Sequence, residues 1–562
     1  VTEVAPGSQS DLTLTVNGKT VVVDPERLDG RGPTLLEVLR EQLGLLSVKD
    51  GCSPQGQCGC CTVLVDGEPR VACVTPARRV KDRAITTFEG LEGERADRWA
   101  DSFCVVGASQ CGFCTPGIIM RLEGAARASG SDADVDQALL AHLCRCTGWR
   151  TIHEAWDRFH DAGEVAADLA HRKLSAAGRR ATIEGGAPQR VGPEIARGHG
   201  GFAADTAPAD ALIAVRADDG SWVTGERLAA ARAEAGKVQG RRTTAAPAWP
   251  LDVPDGEWDV ALRTTWVDSA YLETDASWCR PGEEPYTTVA NGGAFGAKRF
   301  PAPSPAPSTP STGSTGSALD VAALDVASAA RRLADEHGRP VLALASREDV
   351  ARFGAKRPPL AAGMMDDGRA HVRVVDTPGI VEAILGGFAR AGVDPSAVRV
   401  ETVTVPGPPT SAGIRAAGWA EVAALVAGVA GSVGTVRSPS GAEAEAEVDV
   451  AGGRISVAVS CGPILDDVVL RSYCIGAAHM AWSWLTSESL AVDNLGVVHD
   501  LTVRSFGVLR AVDTPRIDVE LRPGQGEPVN GSDAVFAAVA AAGWLATGRP
   551  RDWPAGFTPP SG

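Results

Sequence analysis

At 562 residues, 44% hydrophobic and 22% charged, the chain is long enough for about three globular domains. Its formal net charge of -16 lacks the basic surface with which a general nucleic-acid binder replaces phosphate counterions. No apolar run reaches the roughly eighteen residues of a membrane helix. The N-terminal VTEVAPGSQSDLTLTV carries neither a basic-then-apolar leader nor a twin-arginine pair, so a cytoplasmic protein is expected.

LTLTVNGKTVVVD alternates apolar and polar residues around Asn17-Gly18, the pattern of a hairpin with a two-residue turn. TLLEVLREQLGL reads as a helix capped by Thr34. The cysteines then begin, and ten of the thirteen lie at or before Cys146. Cys52, Cys58 and Cys61 are spaced C-x5-C-x2-C, and Cys73 follows the strand-like TVLVDGEPRVA. This is one residue longer than the plant-type ferredoxin spacing C-x4-C-x2-C. Cys60 adjoins Cys61, and the spacing favours Cys61 as the ligand. Gly51, Gly56 and Gly59 suit a loop wrapped tightly round an inorganic cluster. Well-spaced thiols without a secretion leader predict metal ligation rather than disulfides.

The second group pairs QCGFC (Cys111, Cys114) with LCRC (Cys144, Cys146). Thr115-Pro116-Gly117 is expected to end the preceding element, with GIIMRL opening a helix and AWDRFH forming another. Centres held at the ends of packed helices suit an electron relay. A structural zinc site with four thiolates is the alternative that spacing leaves open.

Residues 162–197 mix charges, Gly and Pro and read as a linker. DALIAVRADDGSWVTGERLAAARAEAGKV reads as strand, turn and helix. PAPSPAPSTPSTGSTGS (301–317) cannot support a core. Beyond it, DVAALDVASAARRLADEHGRPVLALASREDV gives a helix and a buried strand, and short strands alternate with Ala-rich helices to the end. There is no G-x-G-x-x-G fingerprint and no Walker loop. His199 and His479 stand without metal-type spacing. Cys60, Cys104, Cys279, Cys461 and Cys474 are expected as packed thiols.

QCGFCTPG followed by LCRCTGW, and preceded by GCSPQGQCGCC, resembles the two-cluster iron–sulfur module of the xanthine dehydrogenase family, the molybdenum hydroxylases, over about residues 12–159. The resemblance implies that Cys52, Cys58, Cys61 and Cys73 bind a plant-type [2Fe–2S] cluster. It implies that Cys111, Cys114, Cys144 and Cys146 bind a second [2Fe–2S] cluster in a helical bundle nearer the molybdenum cofactor. The implied fold class is α+β. A β-grasp ferredoxin-like domain (1–86) precedes a helical [2Fe–2S] domain (87–161) and a linker (162–200). A compacted α+β region resembling the molybdopterin-binding subunit follows (201–300 and 318–562), divided by the linker 301–317.

Within that region AYLETDAS is similar to the family's HAxLEP-type segment. ANGGAFGAK is similar to the GGxFGGK loop beside the molybdenum, which implicates Gly292, Gly293, Phe295 and Gly296. Arg347-Glu348 resembles an Arg–Glu pair at the end of a family strand. AGIRAAGWAE is similar to the RGFG loop that faces substrate, which implicates Arg415. GQGEPVNGSDAVFAAVAAA resembles the catalytic loop, with Glu527 in the place of the catalytic glutamate. Such enzymes hydroxylate carbon with water-derived oxygen while a carboxylate base takes up the proton, and electrons leave through the pterin and the two clusters. The implied cofactors are two [2Fe–2S] clusters, a molybdopterin-type molybdenum cofactor held by this chain or with a partner, and FAD in a partner subunit. The implied partners are that FAD-binding subunit, a larger molybdenum subunit and a small-molecule substrate.

The departures are substantial. Only about 400 residues follow the helical domain, fewer than the family's molybdenum subunit has. Tyr473 and Met480 stand where the family places glutamines over the pterin, a glutamine-bearing strand is missing, and no flavin-binding domain is visible. Three readings result: a catalytic hydroxylase chain with Glu527 as base, an electron-transfer and scaffold subunit with catalysis in a partner, or a zinc-stabilised binding protein. The resemblance does not choose among purine, aldehyde, N-heterocycle and carbon monoxide substrates.

Overall fold

Asn17 and Gly18 both take positive φ (50° and 75°) and close the predicted hairpin, which pairs Thr13–Val16 with Lys19–Val22. The computed structural model describes residues 12–23, 32–161, 165–237, 240, 243–287, 293–298 and 324–556. Over these residues the chain is a mixture of α-helices with separate β-sheets. The hairpin joins a five-stranded sheet in which Thr13–Val16 runs parallel to Ala84–Thr86, and Ala84–Thr86 antiparallel to Thr62–Val65. Thr34 caps the helical turn Leu35–Glu37 in a reciprocal capping box with Glu37, and a π-helical turn, Val38–Gln42, continues it. The first cysteine loop runs from this turn to Thr62–Val65, so three of its four expected ligands precede a strand and Cys73 follows the next one, Glu68–Val71.

Four helices follow: Gly93–Val105, Thr115–Ser129, Val135–Leu139 and Arg150–His160. Thr-Pro-Gly lies inside the first turn of Thr115–Ser129 rather than ahead of it. Proline is tolerated there because the missing N–H would have no helical partner. Trp99 stacks on Phe159 with centroids 3.6 Å apart. Its indole N–H donates to the buried carboxylate of Glu123 (2.8 Å), which Arg95 and Arg127 also engage.

The stretch expected as a linker contains the helices Val165–His171, Leu174–Gly185 and Pro193–Ala196. Leu174–Gly185 turns Ala177, Ala181, Arg180 and Glu184 inward together. Its buried face therefore carries charges and small residues, and the hydrophobic periodicity that would reveal it is absent. The 301–317 stretch and Gly292 lie outside the described residues.

Among the described residues the second half contributes two five-stranded sheets, one of four strands and one of two. One five-stranded sheet centres on Val341–Leu344, parallel to Leu212–Arg216. The other brings Asp552–Trp553 beside Val260–Thr264. The helices Trp419–Ala430, Asp467–Thr486 and Ser532–Ala546 pack together, and Ser532–Ala546 also packs on the four-stranded sheet. A single hydrophobic cluster joins Leu39, Trp99 and Trp149 of the cysteine-rich part to Trp484, Val535 and Trp544 of the second half.

Candidate metal centres and the adjoining cavities

All thirteen cysteines are buried and free. In the first group, Cys52 contacts the thiols of Cys58 and Cys73, and Cys73 also contacts Cys61. The hydrogen bonds from Cys58 and then Cys73 hold the Cys52 thiol well below the ordinary range, and the one to Cys52 pushes Cys58 well above it. The backbone N–H of Gln55 donates to Cys52 Sγ (3.2 Å) and that of Cys73 to Cys61 Sγ (3.4 Å). Such donors stabilise negative charge on ligand sulfurs. Cys60 also meets the Cys58 thiol, and its Sγ lies 3.9 Å from the Cys58 carbonyl oxygen.

The second group is paired. Cys111 and Cys146 bring their sulfurs to 3.7 Å, and Cys114 meets Cys144. The hydrogen bond from Cys114 brings the Cys144 thiol down to about 6. Among the described residues no three or more His, Cys, Asp or Glu side chains are arranged to hold a single metal ion. A zinc ion needs four ligands at one point, whereas a two-iron centre takes two thiolates at each end, and the paired sulfurs fit the latter.

The two loops touch. A Cβ on Gly117 would lie 2.4 Å from the Gly59 carbonyl oxygen and 2.7 Å from that of Cys60, so only glycine allows this approach. Leu143 N–H donates to the Cys58 carbonyl (3.0 Å). His142 packs on Gly59 with its Nε2 3.2 Å from Thr62 Oγ1.

The second half grips both loops. Arg347 donates to the Gly51 carbonyl (2.8 Å), and Gln55 reaches Glu348 (3.4 Å) and the Leu501 carbonyl (2.9 Å). Arg145, between Cys144 and Cys146, forms a buried two-pronged ion pair with Glu488 and donates to the Ser269 carbonyl (3.0 Å). Gln110 donates to the Cys146 carbonyl and to Ser472 Oγ, both at 2.9 Å. Sequence reading missed Arg145, Glu488, Gln110 and Ser472. The first pair is 343 positions apart, and no local pattern links such residues.

Of the residues expected near molybdenum, Phe295, Gly296 and Arg415 come together around a cavity of about 240 Å³, which Glu184, Asn530 and Asp533 also line. Arg415 lies over the Phe295 ring (3.9 Å) and donates to Asp533 Oδ1 and Ser532 Oγ, both at 2.9 Å. Gly293 reaches the second centre, where a Cβ would lie 3.2 Å from Cys146 Sγ. Glu527 is exposed and does not line the cavity. The buried carboxylate there is Glu184, which accepts from the N–H groups of Gly531 (3.1 Å) and Ser532 (2.9 Å) at the start of Ser532–Ala546. Burial pushes its carboxyl up.

This donor set does not fit an anionic pterin cofactor. Arg415 is engaged by Asp533, Lys298 by Glu273, and the Ser532 helix terminus by Glu184. Asp467–Thr486, the helix expected over the pterin, sits directly on the second centre. A Cβ on Gly476 would come 1.8 Å from the Cys146 carbonyl oxygen. The space left beside Gln110, Ser472 and Tyr473 is about 10 Å³, room for a single water at most.

The model of a [2Fe-2S] binding domain matches residues 87–157. The nicotinate dehydrogenase small FeS subunit of Eubacterium barkeri is 37% identical over 149 residues, 26% of this chain and 90% of that protein. A probable xanthine dehydrogenase subunit of Bacillus subtilis (strain 168) is 37% identical over 151 residues, covering 26% and 83%. The aldehyde oxidoreductase of Desulfovibrio desulfuricans ATCC 27774 has a similar fold, with a TM-score of 0.64 at 15% identity over 95% of this chain and 97% of that one. The sequence relatives thus match about a quarter of this chain, and the similarity of fold spans nearly all of it.

Proposed function

Because this chain belongs to the xanthine dehydrogenase family, the molybdenum hydroxylases, we propose that it is the iron–sulfur electron-transfer subunit of such an oxidoreductase. A larger molybdenum-binding partner oxidises the substrate, and an FAD-binding partner takes the electrons. The observation that carries this reading is the seating of Asp467–Thr486 directly on Cys146, where a catalytic chain would need room for the pterin. Cys52, Cys58, Cys61 and Cys73 hold one [2Fe–2S] cluster, and Cys111, Cys114, Cys144 and Cys146 hold the other. These clusters, when bound, supply one-electron storage.

The chain's own residues set the path and its surroundings. Burial of every ligand thiol keeps water away, and the Gly117–Gly59 contact holds the two loops at van der Waals distance. The N–H groups of Gln55 and Cys73 favour the reduced state of the first centre by donating to its sulfurs. The second half acts as a scaffold, clamping the loops through Arg347 and through Arg145–Glu488.

A catalytic reading is favoured by one observation, the convergence of Phe295, Gly296 and Arg415 on one cavity. Glu527→Ala in the complex purified from its native source separates the two. Turnover within about twofold of wild type, with unchanged cluster spectra, is expected. Abolished turnover with intact clusters would make Glu527 the base and overturn the electron-transfer reading.

A further inference from the structure

A cavity of about 270 Å³ lies between the first cysteine loop and the sheet containing Val341–Leu344, and the Glu273–Lys298 ion pair separates it from the cavity at Arg415. Its lining mixes two chemistries. Leu36, Leu342, Leu344 and the edge-to-face pair Phe113–Phe202 (5.0 Å) supply apolar surface, and carboxylates and arginines lie among them. Most of those charges are already matched. Asp205 pairs with Arg40 and Lys49, Glu273 with Lys298 (2.5 Å), and Glu226 with Arg339 (2.8 Å).

Asp50 differs. Its Oδ1 accepts the Ser53 N–H (2.8 Å), and it forms no ion pair among the described residues. Arg232, whose charge bears on Asp50, also lines the cavity and is turned to Glu348 (3.7 Å). Asp50 keeps part of its surface free although protein surrounds it, and it lines the cavity. A compact apolar body with one cationic nitrogen would meet both the apolar lining and the Asp50 carboxylate.

We propose that this cavity is a binding site for a small organic cation, an amine or amidine on an apolar ring or short chain, with Asp50 as its counter-ion. Asp50 and Ser53 flank Cys52, so the bound positive charge lies beside the first centre and raises its midpoint potential. That consequence rests on assigning a cluster to Cys52; the binding does not.

Benzamidine is the test probe, with benzoate as its anionic counterpart, titrated calorimetrically against the full-length iron-loaded protein. The expected result is saturable binding of benzamidine, at least tenfold tighter than benzoate, and at least tenfold weaker in Asp50→Asn. No saturable benzamidine binding, equal binding of benzoate, or unchanged affinity in Asp50→Asn would each overturn the proposal. Should Asp50→Asn fail to fold, Leu344→Trp fills the cavity from its apolar lining. Loss of binding in that variant with iron content retained supports the site, and retained binding overturns it. An upward shift of one cluster's potential on saturation is expected. Binding without a shift would leave the site standing and overturn only the placement of a cluster at Cys52.

Discussion

His479 is fully buried, and burial, followed by the charge of Arg145, pushes its imidazole down to about 3. In the unfolded chain the same group titrates near its ordinary value of about 6.5. Its folded-state value is depressed, so its contribution is fully present above about pH 6.5. It is lost as pH falls towards 3, because only the unfolded chain takes up the proton. The slope is about 1.4 kcal/mol per pH unit for this one group. In His479→Met, denaturant unfolding between pH 6.5 and 5 should show a pH dependence weaker by about that amount, and an unchanged slope would contradict the assignment. A second expectation at this scale separates adjacent thiols. Each meets another cysteine of the group, Cys61 at Cys73 and Cys60 at Cys58; ligand spacing assigns Cys61, so Cys61→Ala should lower iron from about four to about two per chain, while Cys60→Ala should leave it unchanged. The cysteines were legible because ligand spacing is local, whereas Glu184 was not: it meets the Gly531 and Ser532 N–H groups from nearly 350 positions away.

At the scale of elements, Asp467–Thr486 decides how close the second half comes to the second centre. Its start is fixed by Asp466, whose side chain accepts the Val469 N–H. Almost every residue from Val469 to Thr486 is buried, so no polar face betrays which side meets Cys146. Gly476 is the contact, and Gly476→Ala would drive a methyl group into the Cys146 carbonyl. The expected cost is about 1–3 kcal/mol of stability, as for overpacking elsewhere. The electron paramagnetic resonance signal of one cluster should change while the other keeps its shape. Changes in neither would show that the helix does not bear on the centre. The helix Leu174–Gly185 makes the complementary point. Its inward Arg180 and Glu184 break the apolar stripe that sequence reading relies on, so composition suggests a linker where the chain is packed.

Across the whole molecule, the cysteine-rich part and the second half share a continuous core, and the ion pair Arg145–Glu488 is buried where they meet. Breaking a buried pair leaves an uncompensated charge, so the scaffold and the centres are expected to fold as one unit. The first sheet was legible from its hairpin and turn residues. The later sheets were not: Asp552–Trp553 pairs with Val260–Thr264 across most of the second half, and no local signal specifies such a partner. Among the described residues no helix is long and apolar enough to cross a membrane. The engagement of Arg415 and Lys298 by internal carboxylates and the closure over Cys146 support the proposed electron-carrier role. The most direct measurement is the iron, molybdenum and pterin content of this chain after separation from the native complex. About four iron atoms per chain, with molybdenum and pterin found only on a larger partner, is the predicted result. One molybdenum and one extractable pterin retained on this chain, with no other molybdenum-binding subunit present, would contradict it.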